Sequence, residues 1–166
     1  MRSQTLLGSA VGIGMAFAVW QELARILPVD NSAGTSQRTG LACAALLPAV
    51  GVVDLMIVVQ MALRAWTGAI DPLAGRDIRL LQINQRALTN TVEQLAGFAP
   101  ALLALAAGAS PGWMPWVVGA GIVFGLSRLV FWGGYLLGPE LRAPGMAASF
   151  AVNVTTFVAA IWVWWP

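Results

Sequence analysis

An all-α bundle of membrane-crossing helices is the fold class that this sequence predicts, and three observations predict it. Of 166 residues, 58% are hydrophobic and only 10% are charged, with a mean hydropathy of +0.77. A soluble domain carries roughly 25% charge and 45–50% apolar residues, so this chain has too little charge to cover a water-facing surface. Five stretches come near the roughly 20 mostly apolar residues that a membrane-crossing helix needs. Turn-forming residues separate them.

The elements follow in order. Leu6–Leu27 is apolar through Trp20 and turns polar at Gln21, Glu22 and Arg25. Arg2 and the apolar run after it also fit a signal peptide, but no small-x-small cleavage site follows cleanly. Trp20-Gln21-Glu22 stands where one is expected, so a retained helix is the reading. Residues 28–40 are a polar loop. Leu41–Trp66 is interrupted by Asp54, Gln60 and Arg64, and residues 67–77 form a second loop. The third span runs from about Ile78 to Ala109, polar in its first half and apolar from Leu95. Ser110-Pro111-Gly112 is a tight hairpin into Trp113–Leu137, which only Ser127 and Arg128 interrupt. Gly138-Pro139 stops that span, and Pro144 suits the first turn of Pro144–Trp165. No internal repeat is evident, and the chain reads as one helical membrane domain.

Composition also excludes chemistry. A single Cys (Cys43) rules out a disulfide framework and a multi-Cys metal site. The absence of His rules out serine–histidine and zinc hydrolases, and no metal is expected. The low charge makes a nucleic-acid partner unexpected. All nine basic residues are Arg, the side chain suited to fixed, bidentate binding of carboxylates and other anions. Their distribution sets the orientation. With a cytoplasmic N-terminus, that side holds Arg2, Arg64, Arg76, Arg79, Arg86, Arg128 and Arg142, and the other side holds Arg25 and Arg38. Trp162, Trp164 and Trp165 fit an interfacial belt at the outer end.

Charges at membrane depth are costly and so are functional candidates. Arg86, Asn90 and Glu93 stand at i, i+4 and i+7 on one helical face, extended by Gln82. Arg128, Phe131 and Tyr135 share another face, and Arg142 follows the Gly-Pro break. An Arg128–Glu93 pair between helices is the bland reading. A pocket for a small anionic ligand entering from the cytoplasm, with an apolar co-substrate arriving through the lipid, explains why so many donors gather at one end. Asp54 reads as a buried carboxyl, protonated or bonded to a neighbouring helix, and Asn153 as a bond between helices. Gly119, Gly121, Gly125 and Gly133-Gly134 read as close helix contacts, and Cys43 as an inert small residue.

These motifs carry a resemblance. Arg86-Ala87-Leu88-Thr89-Asn90-Thr91-Val92-Glu93 resembles the R-A-x-x-N-x-x-E hallmark of the MAPEG superfamily, the membrane-associated proteins in eicosanoid and glutathione metabolism. Arg128, Tyr135 and Arg142 at seven-residue steps, followed by Ala143-Pro144, are similar to the pattern in microsomal glutathione transferases and the cysteinyl-leukotriene synthase. The resemblance covers about residues 41–166 and leaves residues 1–40 as an extra N-terminal helix and loop. It implies a four-helix core per subunit, a homotrimer, and glutathione as co-substrate between subunits near the cytoplasmic face. It implies a bacterial-type, transferase-like member in the inner membrane, acting on hydrophobic small molecules. Arg86, Asn90 and Glu93 would then bind the glutathione backbone and Arg64 a carboxylate. Arg128 and Tyr135 would complete the pocket, and Arg142 would stabilise the thiolate. Three departures stand out: Phe131 where some members carry tyrosine, Gln94 after Glu93, and a proline delayed to Pro100. They argue against a leukotriene or prostaglandin synthase and leave room for a non-catalytic lipid-binding or scaffold member. A small proton-coupled exporter using Asp54 or Glu93 is a third reading.

Overall fold

The computed structural model describes residues 2–71 and 74–166, with residues 2 and 4 described by backbone alone. The side chain of Arg2, counted in the charge asymmetry above, lies outside the described part. Five long helices follow one another: α1 (Arg2–Ile26), α2 (Thr35–Thr67), α3 (Arg79–Gly108), α4 (Met114–Leu137) and α5 (Ala143–Trp164). All five have spans long and apolar enough to cross a membrane. At 1.5 Å per residue, α2 is about 50 Å long and α3 about 45 Å, against a hydrocarbon core of about 30 Å. Each therefore has length to spare beyond an apolar slab.

One boundary differs from the sequence expectation. The segment 28–40 is not loop throughout, because α2 begins at Thr35. A tertiary contact holds its first turns: Arg38 donates to the carbonyls of Ala106 (3.2 Å) and Ala107 (3.1 Å), at the carbonyl-rich end of α3. Upstream, Asp30 accepts from the Ser32 hydroxyl and amide. Those bonds, the hydroxyl's first, hold the exposed Asp30 carboxyl below its ordinary value.

The helix α4 is the axis of the molecule, packed against the other four. Its apolar composition runs all round, as a buried helix requires. In lipid no hydrophobic force drives helix against helix, so close packing through small residues does the holding. A Cβ on Gly125 would lie 2.8 Å from the Ala49 amide nitrogen, and one on Gly121 would meet Ala45. These two glycines thus let α4 press into the small face of α2. Gly119 receives the Trp20 ring, whose Nε1 donates to the Trp116 carbonyl at 2.8 Å and ties α1 to α4. Gly134 sits against the Leu141 backbone, but Gly133 has nothing near it and makes no close contact. Phe98 and Phe124 stack at 4.1 Å in the main core.

A second, polar layer pins α2, α3 and α4 nearer the arginine end. Buried Asn84 donates to the Met56 carbonyl (2.9 Å) and to Gln60 Oε1 (2.8 Å), and accepts from Trp132 Nε1 (2.9 Å). Asn153 donates to Gln94 at 3.2 Å, the bond between α5 and α3 that its position foreshadows. Asp54 departs from expectation. It is exposed on α2 and has no hydrogen bond or ion pair among the described residues, so it is not a bond within the bundle.

Candidate functional site

The up-and-down course of the helices gathers the N-terminal turns of α1, α3 and α5 and the C-terminal turns of α2 and α4 at one end. A cleft of about 600 Å³ opens there. Such a volume suits a ligand of a few dozen atoms. Its polar lining is Arg86, Asn90, Tyr135 and Arg142 with the hydroxyls of Thr5 and Ser9, and its apolar lining includes Phe131, Met146, Ala147 and Phe150. A second hollow of about 370 Å³ shares Arg86, Tyr135 and Arg142 and adds Arg79 and Gln82. The two lie side by side on these shared residues and together form a groove lined by three exposed arginines.

Local structure explains each placement. On α3, Ala87 and Thr91 face the core, which turns Arg86 and Asn90 toward the rim one residue before each. On α4, Phe131 and Tyr135 are one turn apart, both nearly buried, with ring centroids 5.9 Å apart. Arg142 occupies the N-cap position of α5, with a proline in the helix's first turn. Its guanidinium carbon lies 4.6 Å from the Tyr135 ring centroid, a cation–π contact that orients the group. The Gly134–Leu141 contact folds the 138–142 turn back onto α4 and sets the distance between Tyr135 and Arg142.

Arg128 stands beneath this surface and not in it. It is fully buried. It donates to Asn90 Oδ1 (2.9 Å), Thr91 Oγ1 (2.8 and 3.2 Å) and Ser149 Oγ (3.1 Å), with Met146 Sδ at 3.8 Å. The Phe131 ring covers it at 4.0 Å. Every one of these partners is neutral, and the bland Arg128–Glu93 pair does not form. A tyrosine at position 131 would add a hydroxyl to this wall; here the wall is apolar, and the ring shields the guanidinium from the cleft.

The seven residues singled out from the sequence therefore separate into groups. Arg86, Asn90, Tyr135 and Arg142 come together within a single chain. Arg128 reaches the cleft only through Asn90, whose side-chain carbonyl it holds. Glu93 lies one turn beyond Asn90, exposed, and is not part of the lining. Arg64 is also elsewhere. It makes a two-pronged ion pair with Asp77 (3.1 and 3.2 Å) and donates to the Ala69 carbonyl (2.8 Å), fastening the α2–α3 loop to its own helix. Sequence reasoning missed Arg79, Thr5 and Ser9, the last two contributed to the cleft by α1. It also missed the Asn84 network. Asn84 precedes core-facing Ala87 by three residues, a spacing that could have marked it as inward-facing.

The chemistry available is anion binding beside an apolar wall. Among the described residues, none of Arg79, Arg86, Arg128 and Arg142 makes an ion pair. The groove thus carries uncompensated positive charge, with an amide and a phenol for directional bonds. No group of three or more metal-ligating side chains occurs among the described residues. Residues 40–162 match the model of the MAPEG family. No curated protein matches the chain.

Proposed function

The chain belongs to the MAPEG family, and from that premise we propose that it is a membrane-bound glutathione transferase or peroxidase-like protein. It conjugates or reduces hydrophobic electrophiles with a glutathione thiolate. The observation that carries this reading is the convergence of Arg86, Asn90, Tyr135 and Arg142 on one cleft whose remaining wall is mostly apolar, with two hydroxyls from α1. Glutathione has two carboxylates and two amides, which match guanidinium and amide donors. A lipid tail needs none of them. The apolar wall suits a co-substrate that partitions into the bilayer.

In this account Arg86 and Asn90 hold the peptide, with Arg79 close by for a second carboxylate. Arg142 acts on the sulfur. A free thiol has a pKa of about 8.5 and is mostly protonated at neutral pH. A guanidinium next to it favours the thiolate, which is the nucleophile. In conjugation, the sulfur lone pair forms the new bond to the electrophilic carbon. The leaving group departs with its bonding electrons, and the thiol proton goes to water. Tyr135 keeps Arg142 in place by the ring contact and offers a hydroxyl to the same region.

Glu93 and Asp54 both lie on the outer surface of membrane-crossing helices, where an ionised carboxyl is costly. A neighbouring copy would cover them, in keeping with the homotrimer that the family resemblance implies. The arginine asymmetry supports a cytoplasmic cleft, and the family resemblance implies a bacterial inner membrane. The test is thiol binding by detergent-purified protein, measured calorimetrically. Glutathione should bind, and Arg86→Ala should weaken binding about 10-fold or more, as loss of a charge-assisted contact of about 1.5–3 kcal/mol requires. Absence of glutathione binding, with a lipid bound in its place, would give the non-catalytic reading the better claim.

A further inference from the structure

The helix α1 lies outside the matched residues 40–162, yet it forms part of the cleft. Its side chains Thr5 and Ser9 line the same space as Phe131, Met146, Ala147 and Phe150. Its docking is specific. Gly8 and Gly12, one turn apart, both meet Pro144: a Cβ on Gly8 would lie 3.5 Å from the Pro144 ring, and one on Gly12 would run into the Pro144 backbone. Pro144 is two residues from Arg142. The next residue, Gly145, presses directly on the Phe131 backbone. Thus α1, the start of α5 and the Phe131 turn of α4 are locked together through glycine contacts, with no room for a methyl group at Gly12 or Gly145.

We propose that α1 is the outer wall of the subsite for the apolar co-substrate, and that Thr5 and Ser9 set how large a group it admits. The claim rests on the thiol-binding reading above. The arginines come from α3 and the start of α5, and Phe131, Met146, Ala147 and Phe150 share the rest of the lining with Thr5 and Ser9 of α1. A molecule held by its thiol end at Arg142 therefore extends its apolar part toward Ser9. Small side chains at positions 5 and 9 leave that volume free, and a large one would fill it.

The probe is an S-alkyl derivative of glutathione, S-hexylglutathione, which joins both parts of the ligand and needs no turnover. Cys43 is exposed and is first replaced, Cys43→Ser, to leave a background without thiols. In that background Ser9→Cys is labelled with a small maleimide, with Leu7→Cys as the control. Leu7 is exposed, and its position two residues away puts it on the opposite face of α1. Saturating S-hexylglutathione should slow labelling of Ser9→Cys at least 10-fold, glutathione itself less than twofold, and neither should slow Leu7→Cys. Separately, Ser9→Trp should raise the half-saturating concentration of S-hexylglutathione at least 10-fold while leaving that of glutathione within twofold. If glutathione binds but Ser9→Cys labels at one rate with and without the probe, or Leu7→Cys is equally protected, α1 is not the wall. If the parent protein binds neither molecule by calorimetry, the thiol reading itself fails and this inference falls with it.

Discussion

The buried guanidinium of Arg128 shows how a residue can act on a site without entering it. Its bonds to Thr91 and Ser149 tie α4 to α3 and α5, and its bond to Asn90 fixes which way that amide presents itself to the cleft. Replacement by Met keeps most of the volume but removes every donor. Hydrogen bonds from a charged group are worth about 1.5–3 kcal/mol each, and Thr91 and Ser149 would lose theirs. Arg128→Met is expected to weaken glutathione binding about 10-fold through the loss of Asn90 orientation, with the bound thiol's pKa unchanged. Isothermal titration together with a pH titration of the thiolate signal checks this; an unchanged affinity in folded protein contradicts it. Arg128 was legible as a candidate, but its burial and its partners were not, because α4 is apolar nearly all round and its periodicity does not reveal which face is inside. The stripe of Arg86 and Asn90 was legible, since polar residues at helical spacing on an otherwise apolar face mark a rim. The ion pair of Arg64 was not legible either, for a different reason. Its partner Asp77 lies 13 residues along, across a turn whose path the sequence does not encode locally.

At the scale of the element, glycines decide how the helices meet, and they are not equivalent. Gly125→Ala places a methyl group 2.8 Å from the Ala49 nitrogen, where only a backbone shift makes room. Overpacking of this kind costs about 1–3 kcal/mol. Gly133 has open space around it, and there alanine gains up to about 1 kcal/mol of helix propensity. Thermal unfolding in detergent should rank the proteins Gly133→Ala at or above the parent and Gly125→Ala below it; the reverse order refutes the packing described for α2 and α4. The number and positions of the helices could be read directly, because span length and apolar composition answer to the thickness of the bilayer. The early start of α2 could not, since Thr35–Gly40 is polar and becomes helical through the Arg38 contact with α3. Nor could the role of α1. The Gly8–Gly12 spacing hints at a helix contact, but nothing in it names Pro144 as the partner.

For the whole molecule, charge asymmetry and surface carboxylates lead to expectations about orientation and assembly. An N-in, C-out chain puts reporter fusions after Ala74 and at the C-terminus on opposite sides of the membrane, the first cytoplasmic. Both on one side would contradict the five-span topology. Mass measurement in mild detergent should find the three copies that the family resemblance implies, with Glu93 and Asp54 covered by a neighbour. A stable monomer with full thiol affinity would show that the four residues gathered within one chain suffice alone. The charged residues concentrate at one end and leave Asp54 isolated on the outside of α2, so they mark no path for an exporter. Central to the account is that Arg142 holds a thiolate. The most direct measurement is the ultraviolet absorbance of bound thiolate as a function of pH, for the parent protein and for Arg142→Ala at saturating glutathione. Loss of a contact worth about 1.5–3 kcal/mol corresponds to about one to two pKa units, at 1.36 kcal/mol per unit. The parent should show thiolate at neutral pH. Arg142→Ala should show the same signal only about one to two units higher, with turnover lowered about 10- to 100-fold near neutrality and partly recovered at high pH. Identical titrations for the two proteins, or no thiolate in the parent at any pH below that of free glutathione, would contradict it.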